Sequence, residues 1–90
     1  MNRYSAPAHV IGESHSGETV LLNLNTGVYF GLDPVGSRAW ELLLQHGDLP
    51  AVVREMSNEF DVDEPTLNRD LEELLGDLTQ RGLLLDNKTP

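Results

Sequence analysis

Apolar positions fall into short runs up to Leu32 and into helical periods beyond Pro34, so strands precede helices in this chain. Two runs, Val20 to Leu24 and Val28 to Leu32, flank Asn25-Thr26-Gly27. A Gly that can adopt the left-handed conformation at the end of so short a connection predicts a three-residue hairpin with a bulge. Ahead of it, His9-Val10-Ile11 predicts a first strand, with Gly12 to Gly17 as the turn between them. The hairpin's second run stops at Asp33-Pro34. Asp accepts the unpaired N–H groups of a helix start and Pro suits the first helical position, so a helix begins where the strand ends.

That first helix covers Pro34 to Gln45, with Val35, Ala39, Trp40, Leu42, Leu43 and Leu44 on a broad apolar face and His46-Gly47 as its stop. Trp40 reads as a core anchor. Asp48 caps a second helix whose Leu49, Val52, Val53, Met56 and Phe60 recur with helical period. Asp63 or Glu64 caps a third, with Pro65 in its first turn and Leu67, Leu71, Leu74, Leu75 and Leu78 before Arg81-Gly82 ends it. Leu83 to Leu85 predicts a short strand or turn packed back on the core, and Asp86 to Pro90 a polar, fraying tail. This order predicts an α+β fold, winged helix-turn-helix-like, with a three-stranded antiparallel sheet followed by three helices. Its 90 residues fit a single domain, ordered from about residue 8 to 85.

Composition narrows the function classes. There is no Cys, which excludes disulfides, thiolate metal sites and thiol nucleophiles and suits a reducing cytoplasm. Met1 to Pro7 carries no apolar stretch of a secretion signal, and no run approaches the ~20 residues of a membrane span. The chain therefore reads as untargeted and soluble. His9, His15 and His46 lack helical metal-site spacing, Ser14-His15-Ser16 has no evident orienting carboxylate, and no Gly-rich phosphate loop is present. No enzyme activity, metal or cofactor is expected. A formal charge of −9 repels phosphate backbones. From Asp63 to Asp77 the third helix carries Asp63, Glu64, Asp70, Glu72, Glu73 and Asp77 against Arg69 alone, which disfavours nucleic acid as a partner of a helix that would read DNA in a winged-helix protein.

The run Val28-Tyr29-Phe30-Gly31-Leu32 holds no Lys, Arg, Glu or Pro, so it lacks the usual devices that keep an exposed strand edge from pairing. The chain's own Leu83 to Leu85 or its N-terminal segment is one candidate cover, and a second copy paired edge to edge is another. Alternation puts Val28, Phe30 and Leu32 on the inward or groove face and Tyr29 nearer the rim. On the third helix Leu67, Leu71, Leu74 and Leu78 lie within roughly 60° at 100° per residue, a core stripe, whereas Leu75 on its shoulder is equally suited to core or groove and is the best groove candidate.

The pattern Val20-Leu21-Leu22-Asn23-Leu24-x-Thr26-Gly27-x-Tyr29-Phe30-x-Leu32-Asp33-x-x-Gly36-x-x-Ala39-Trp40-x-Leu42-Leu43 resembles that of the pyrroloquinoline quinone biosynthesis protein D (PqqD) family of RiPP recognition elements. The resemblance runs from about Val20 to Leu85, and the chain is similar in length to the stand-alone leader-binding half of the split B protein of lasso-peptide clusters. It implies a peptide-binding adaptor that takes a precursor leader peptide as an antiparallel strand against the last strand of the sheet, beside the third helix, by β-augmentation. The implied contacts are Val28, Tyr29, Phe30, Gly31 and Leu32 on the strand and Asp70, Leu71, Glu73, Leu74, Leu75 and Asp77 on the helix. Lasso leaders, which are often lysine-bearing and carry a Tyr-x-x-Pro-x-Leu type motif, suit an acidic rim. The implied protein partners are a cysteine-protease leader peptidase and a cyclase. A winged-helix regulatory or scaffold domain contacting protein or nucleic acid through another surface is the alternative.

Overall fold

The computed structural model describes residues 3–87. Its elements run β1 (Tyr4–Ser5), β2 (Val10–His15), β3 (Glu18–Asn23), β4 (Tyr29–Leu32), α1 (Pro34–His46), α2 (Leu49–Glu59), α3 (Glu64–Gln80) and β5 (Leu85–Asp86). β2, β3 and β4 pair antiparallel in that order and the three helices follow, which is the expected α+β arrangement. The helix starts are written locally. Asp33, Asp48 and Asp63 each accept the N–H three residues on, from Gly36, Ala51 and Thr66, and each is followed within two residues by Pro. Gly47 closes α1 at φ 77°, donating its N–H to the Leu43 carbonyl.

Three details depart from the sequence pattern. First, β2 continues through Gly12 to His15, and the turn is only Ser16-Gly17, both at positive φ. Gly12 pairs with Leu21 inside the strand, where a Cβ would crowd the buried Leu21 Cδ2 at 3.2 Å and touch Trp40 Nε1 at 3.5 Å. Second, the β3–β4 connection has five residues, Leu24 to Val28, closed by the Gly27 N–H on the Asn23 carbonyl and the Asn23 N–H on the Val28 carbonyl, each 2.8 Å. Leu24 is left exposed. The buried Asn23 side chain takes the inward position, accepting from the N–H groups of Asn25 and Thr26 and donating to the carbonyls of Arg81 and Gly82. One side chain thus fastens the hairpin to the end of α3.

Third, the ends of the described chain meet. Tyr4 opposes Asp86 and Ser5 opposes Leu85 in a two-stranded antiparallel ribbon. Asp86 belongs to a strand and not to a fraying tail, and Asn87 donates to the Arg3 carbonyl; the expected fraying of Lys88 to Pro90 lies outside the described residues. Tyr4 joins the core with Leu21, Leu42, Leu43, Met56, Leu78, Leu83 and Leu84. Among the described residues no helix is long and apolar enough to cross a membrane.

Candidate functional site

β4 is an outer strand of its sheet. β5, the segment expected as one possible cover, pairs with β1 instead. Register settles which backbone groups are left over. The Asn23 N–H reaches the Val28 carbonyl, and the ladder continues through Leu22 opposite Tyr29, Leu21 opposite Phe30, Val20 opposite Gly31 and Thr19 opposite Leu32. Hydrogen-bonded and non-bonded pairs alternate in an antiparallel ladder, so Phe30 and Leu32 turn their N–H and C=O toward β3, as Val28 does its C=O while its N–H goes to the Thr26 hydroxyl at 3.2 Å, and Tyr29 and Gly31 turn theirs outward. Those two residues offer two donors and two acceptors to an incoming strand.

The side chains obey the complementary parity. Phe30 and Leu32 lie on the inner face with buried Leu21 and Thr19, and Leu32 is tied to α1 by the Ser37 hydroxyl on its carbonyl at 3.2 Å. Val28 shares that face, but it sits at the end of the sheet and is 37% exposed, so it does not pack inside. Tyr29 is on the outer face and 72% exposed, at the rim as expected.

Beside this edge lies an open cleft of about 500 Å³ lined by Phe30, Gly31, Leu32, Asp33, Val35, Gly36, Asp70, Leu71 and Leu74. Gly36 allows the close approach of α1, since a Cβ there would meet Leu74 Cδ2 at 3.5 Å and Asp33 Oδ1 at 3.2 Å. A second, shallower depression continues along α3 between Asp70, Glu73, Leu74 and Asp77. The three carboxylates expected at the rim therefore share one flank of the helix with Leu74. At the far end of that flank the Arg81 guanidinium sits over the Phe30 ring, 5.2 Å from its centroid. The sequence pattern had marked Arg81 only as a helix terminator; its position seven residues after Leu74 was the available signal.

Leu74 and Leu75 exchange their expected places. Leu75 is 5% exposed and belongs to the core with Leu67, Leu71 and Leu78, whereas Leu74 is half-buried and borders the cleft. Leu75 points to the other flank of α3, where it shares a depression with Arg3, Tyr4, Glu72 and Asp86. The β1–β5 ribbon on that side pulls the centre of the buried stripe toward Leu75. The N-terminus of α3 is fixed by Asp63, whose carboxyl is held below its ordinary range chiefly by the Thr66 hydroxyl and then by the Thr66 N–H. Glu59, at the end of α2, is likewise lowered by its hydrogen bonds from Arg38.

The histidines stay apart from this region. His46 Nε2 lies 2.8 Å from Glu55, and exposed His15 faces Glu13 at 3.6 Å. Among the described residues no group of three or more His, Asp or Glu is placed to hold a metal ion.

Comparison with known proteins agrees with this architecture. No curated protein matches the chain significantly. A solved structure of TbiB1 in complex with the TbiA(beta) leader peptide is 40% identical, covers 96% of this chain and 99% of that one, and superposes with a TM-score of 0.82. A lasso peptide synthetase B1 complexed with its leader peptide shares the fold at 24% identity, TM-score 0.81, over 92% and 98% of the two chains. The family model for coenzyme PQQ synthesis protein D matches residues 18–84, three quarters of the sequence, and the chain belongs to that PqqD family.

Proposed function

We propose that the protein binds the leader region of a ribosomally synthesised precursor peptide as a fourth strand on the β2-β3-β4 sheet. It then delivers that precursor to the enzymes of lasso-peptide maturation, a cysteine-protease leader peptidase and a cyclase. The observation that carries this reading is the open β4 edge, with Tyr29 and Gly31 turned outward beside the cleft between Phe30, Leu32 and Leu74. Backbone groups at the edge give affinity that tolerates sequence variation, and the cleft selects alternate side chains. The likeness to TbiB1, whose structure was solved in complex with the TbiA(beta) leader peptide, supports the same choice of ligand.

The protein does no chemistry in this scheme. It acts by raising the local concentration of substrate at its partner enzymes, on the order of mM for a short tether. We place it in the cytoplasm, where precursors leave the ribosome, and working as a monomer, because edge-to-edge pairing would join two chains of formal charge −9 and fill the groove. Duplex nucleic acid is a poor occupant for the same reason, since Asp70, Glu73 and Asp77 flank the approach. The test is fluorescence polarisation with a labelled Tyr-x-x-Pro-x-Leu leader peptide and a control carrying Ala at the three motif positions. Saturable binding to the first, lost in the second, is expected; equal binding to both, or none, would sink the reading.

A further inference from the structure

The strand and the helix that border the groove, β4 and α3, run in opposite senses. Leu32, at the end of β4, and Gly36, in the first turn of α1, approach Leu74 in the middle of α3. The carbonyls of Arg81 and Gly82, just past the end of α3, are held by Asn23, which stands opposite Val28 just before β4. α3 therefore runs antiparallel to β4. A strand added antiparallel to β4, the geometry with the better hydrogen bonds, must then run in the same direction as α3. Its first residues pass Asp70 and Glu73, and its last residues pass Arg81.

Those two ends carry opposite charge. Asp70, Glu73, Asp77 and Arg81 fall within about 80° of one another at 100° per residue, on the flank that also presents Leu74. In a chain with 15 acidic residues, Arg81 has no carboxylate within ion-pair distance among the described residues, and its guanidinium rests on Phe30. Stacking on a half-buried ring and pairing with an exposed carboxylate are of similar order, so the side chain can exchange one for the other at modest cost. Arg81 thus covers the Phe30 ring with a contact that an arriving anion can compete for.

We propose that Arg81 is a specificity-determining residue which, with the Asp70–Asp77 stripe, reads the direction and charge order of the bound peptide. This rests on the leader-binding assignment above and adds to it the pattern of the ligand. From Glu73, mid-stripe, to Arg81 the helix rises about 12 Å, which an extended chain spans in roughly 3.6 residues. Only even spacings keep two side chains on the same face of a strand, so the favoured ligand carries a Lys or Arg followed four residues later by an Asp or Glu. The cation meets the acidic stripe, and the anion draws Arg81 off Phe30 and opens the ring to the peptide's apolar side chains. The reverse order sets Glu against Glu73 and Lys against Arg81.

The test uses labelled Tyr-x-x-Pro-x-Leu peptides with a Lys-x-x-x-Glu pair scanned along the sequence, each matched to its Glu-x-x-x-Lys reversal, against the wild-type protein, Arg81→Gln and Arg81→Glu. In at least one register the Lys-first peptide binds wild type about tenfold tighter than its reversal, as two exposed pairs permit. The ratio shrinks in Arg81→Gln and shrinks further in Arg81→Glu, with circular dichroism confirming that both variants fold; Arg81→Gln alone decides if Arg81→Glu does not. Equal affinity for both orders in every register, with motif-dependent binding intact, overturns the charge-order inference and leaves leader binding standing. A Glu-first preference overturns it too, and failure of every peptide to bind overturns both.

Discussion

Leu74 and Leu75 are neighbours in α3, yet the helix spends one on the core and keeps the other for an open groove. On the Leu75 flank two short strands satisfy each other: Tyr4 and Ser5 pair with Asp86 and Leu85, and Arg3 closes the ribbon with hydrogen bonds of 2.8 and 3.2 Å to Asp86. On the Leu74 flank β4 has, among the described residues, a partner on one side only, and Tyr29 and Gly31 face outward. The side chains on the two flanks are alike in kind, Leu with carboxylates around it. What separates core from binding surface is whether the backbone opposite the helix already has its hydrogen bonds made.

Truncation should expose this difference most strongly. Leu75→Ala should destabilise the fold by about 2–5 kcal/mol, because the site is enclosed and a cavity remains. Leu74→Ala, open to the cleft, should cost well under half as much. Chemical denaturation measures both, and equal losses would erase the distinction between the flanks. Leu74→Asp should leave the melting transition nearly in place while weakening leader binding by about tenfold or more, the effect of losing on the order of 1.4 kcal/mol. A leader affinity untouched by Leu74→Asp would mean that the groove is not the site.

A smaller effect is expected from the edge itself. Gly31→Pro removes an outward N–H at an outer-strand position where Pro is tolerated, so stability should hold while affinity falls about three- to tenfold, the worth of one hydrogen bond. Phe30→Pro instead removes an inward N–H and should disrupt the hairpin. If the two behave alike in melting experiments, the register argument is wrong.

The smallest effect concerns the turn from the end of α2 into α3, which both flanks share. The carboxyls of Asp63 and Glu59 titrate lower in the folded protein than in the unfolded chain, so their contribution is present above the ordinary carboxylate pKa of about 4 and is lost as pH falls through their folded values. Both groups are exposed, and the loss should be slight. The melting temperature between pH 6 and 3 should fall less steeply in Asp63→Asn, which retains a capping oxygen without the titration.

Features set by neighbours in sequence were legible from the sequence. The Asp caps, the positive-φ Gly27 and Gly47, and the acidic stripe at Asp70, Glu73 and Asp77 all follow from spacings of a few residues. The uncovered edge was legible as well, because it shows in which residues are missing from Val28 to Leu32. What escaped depends on distant partners. Two residues at Tyr4–Ser5 carry no periodicity, so nothing marked them as a strand for residues 80 positions away, and without that ribbon the buried stripe of α3 centres one step too far toward Leu74. Gly12 likewise resembles a turn until Trp40 is seen packed against it. The role of Arg81 requires knowing that Phe30 lies beneath it.

The ribbon formed by Tyr4–Ser5 and Leu85–Asp86 has an architectural consequence for anything joined to this protein. Arg3 and Asn87, the first and last described residues, lie side by side, latched by the Asn87 N–H on the Arg3 carbonyl, on the flank of α3 turned away from the groove. A fused enzyme or a tether led off at Arg3 or at Asn87 would therefore depart from the same place and leave the peptide path clear. A short linker could also close the chain into a circle, with new ends opened in the exposed Leu24 to Gly27 loop.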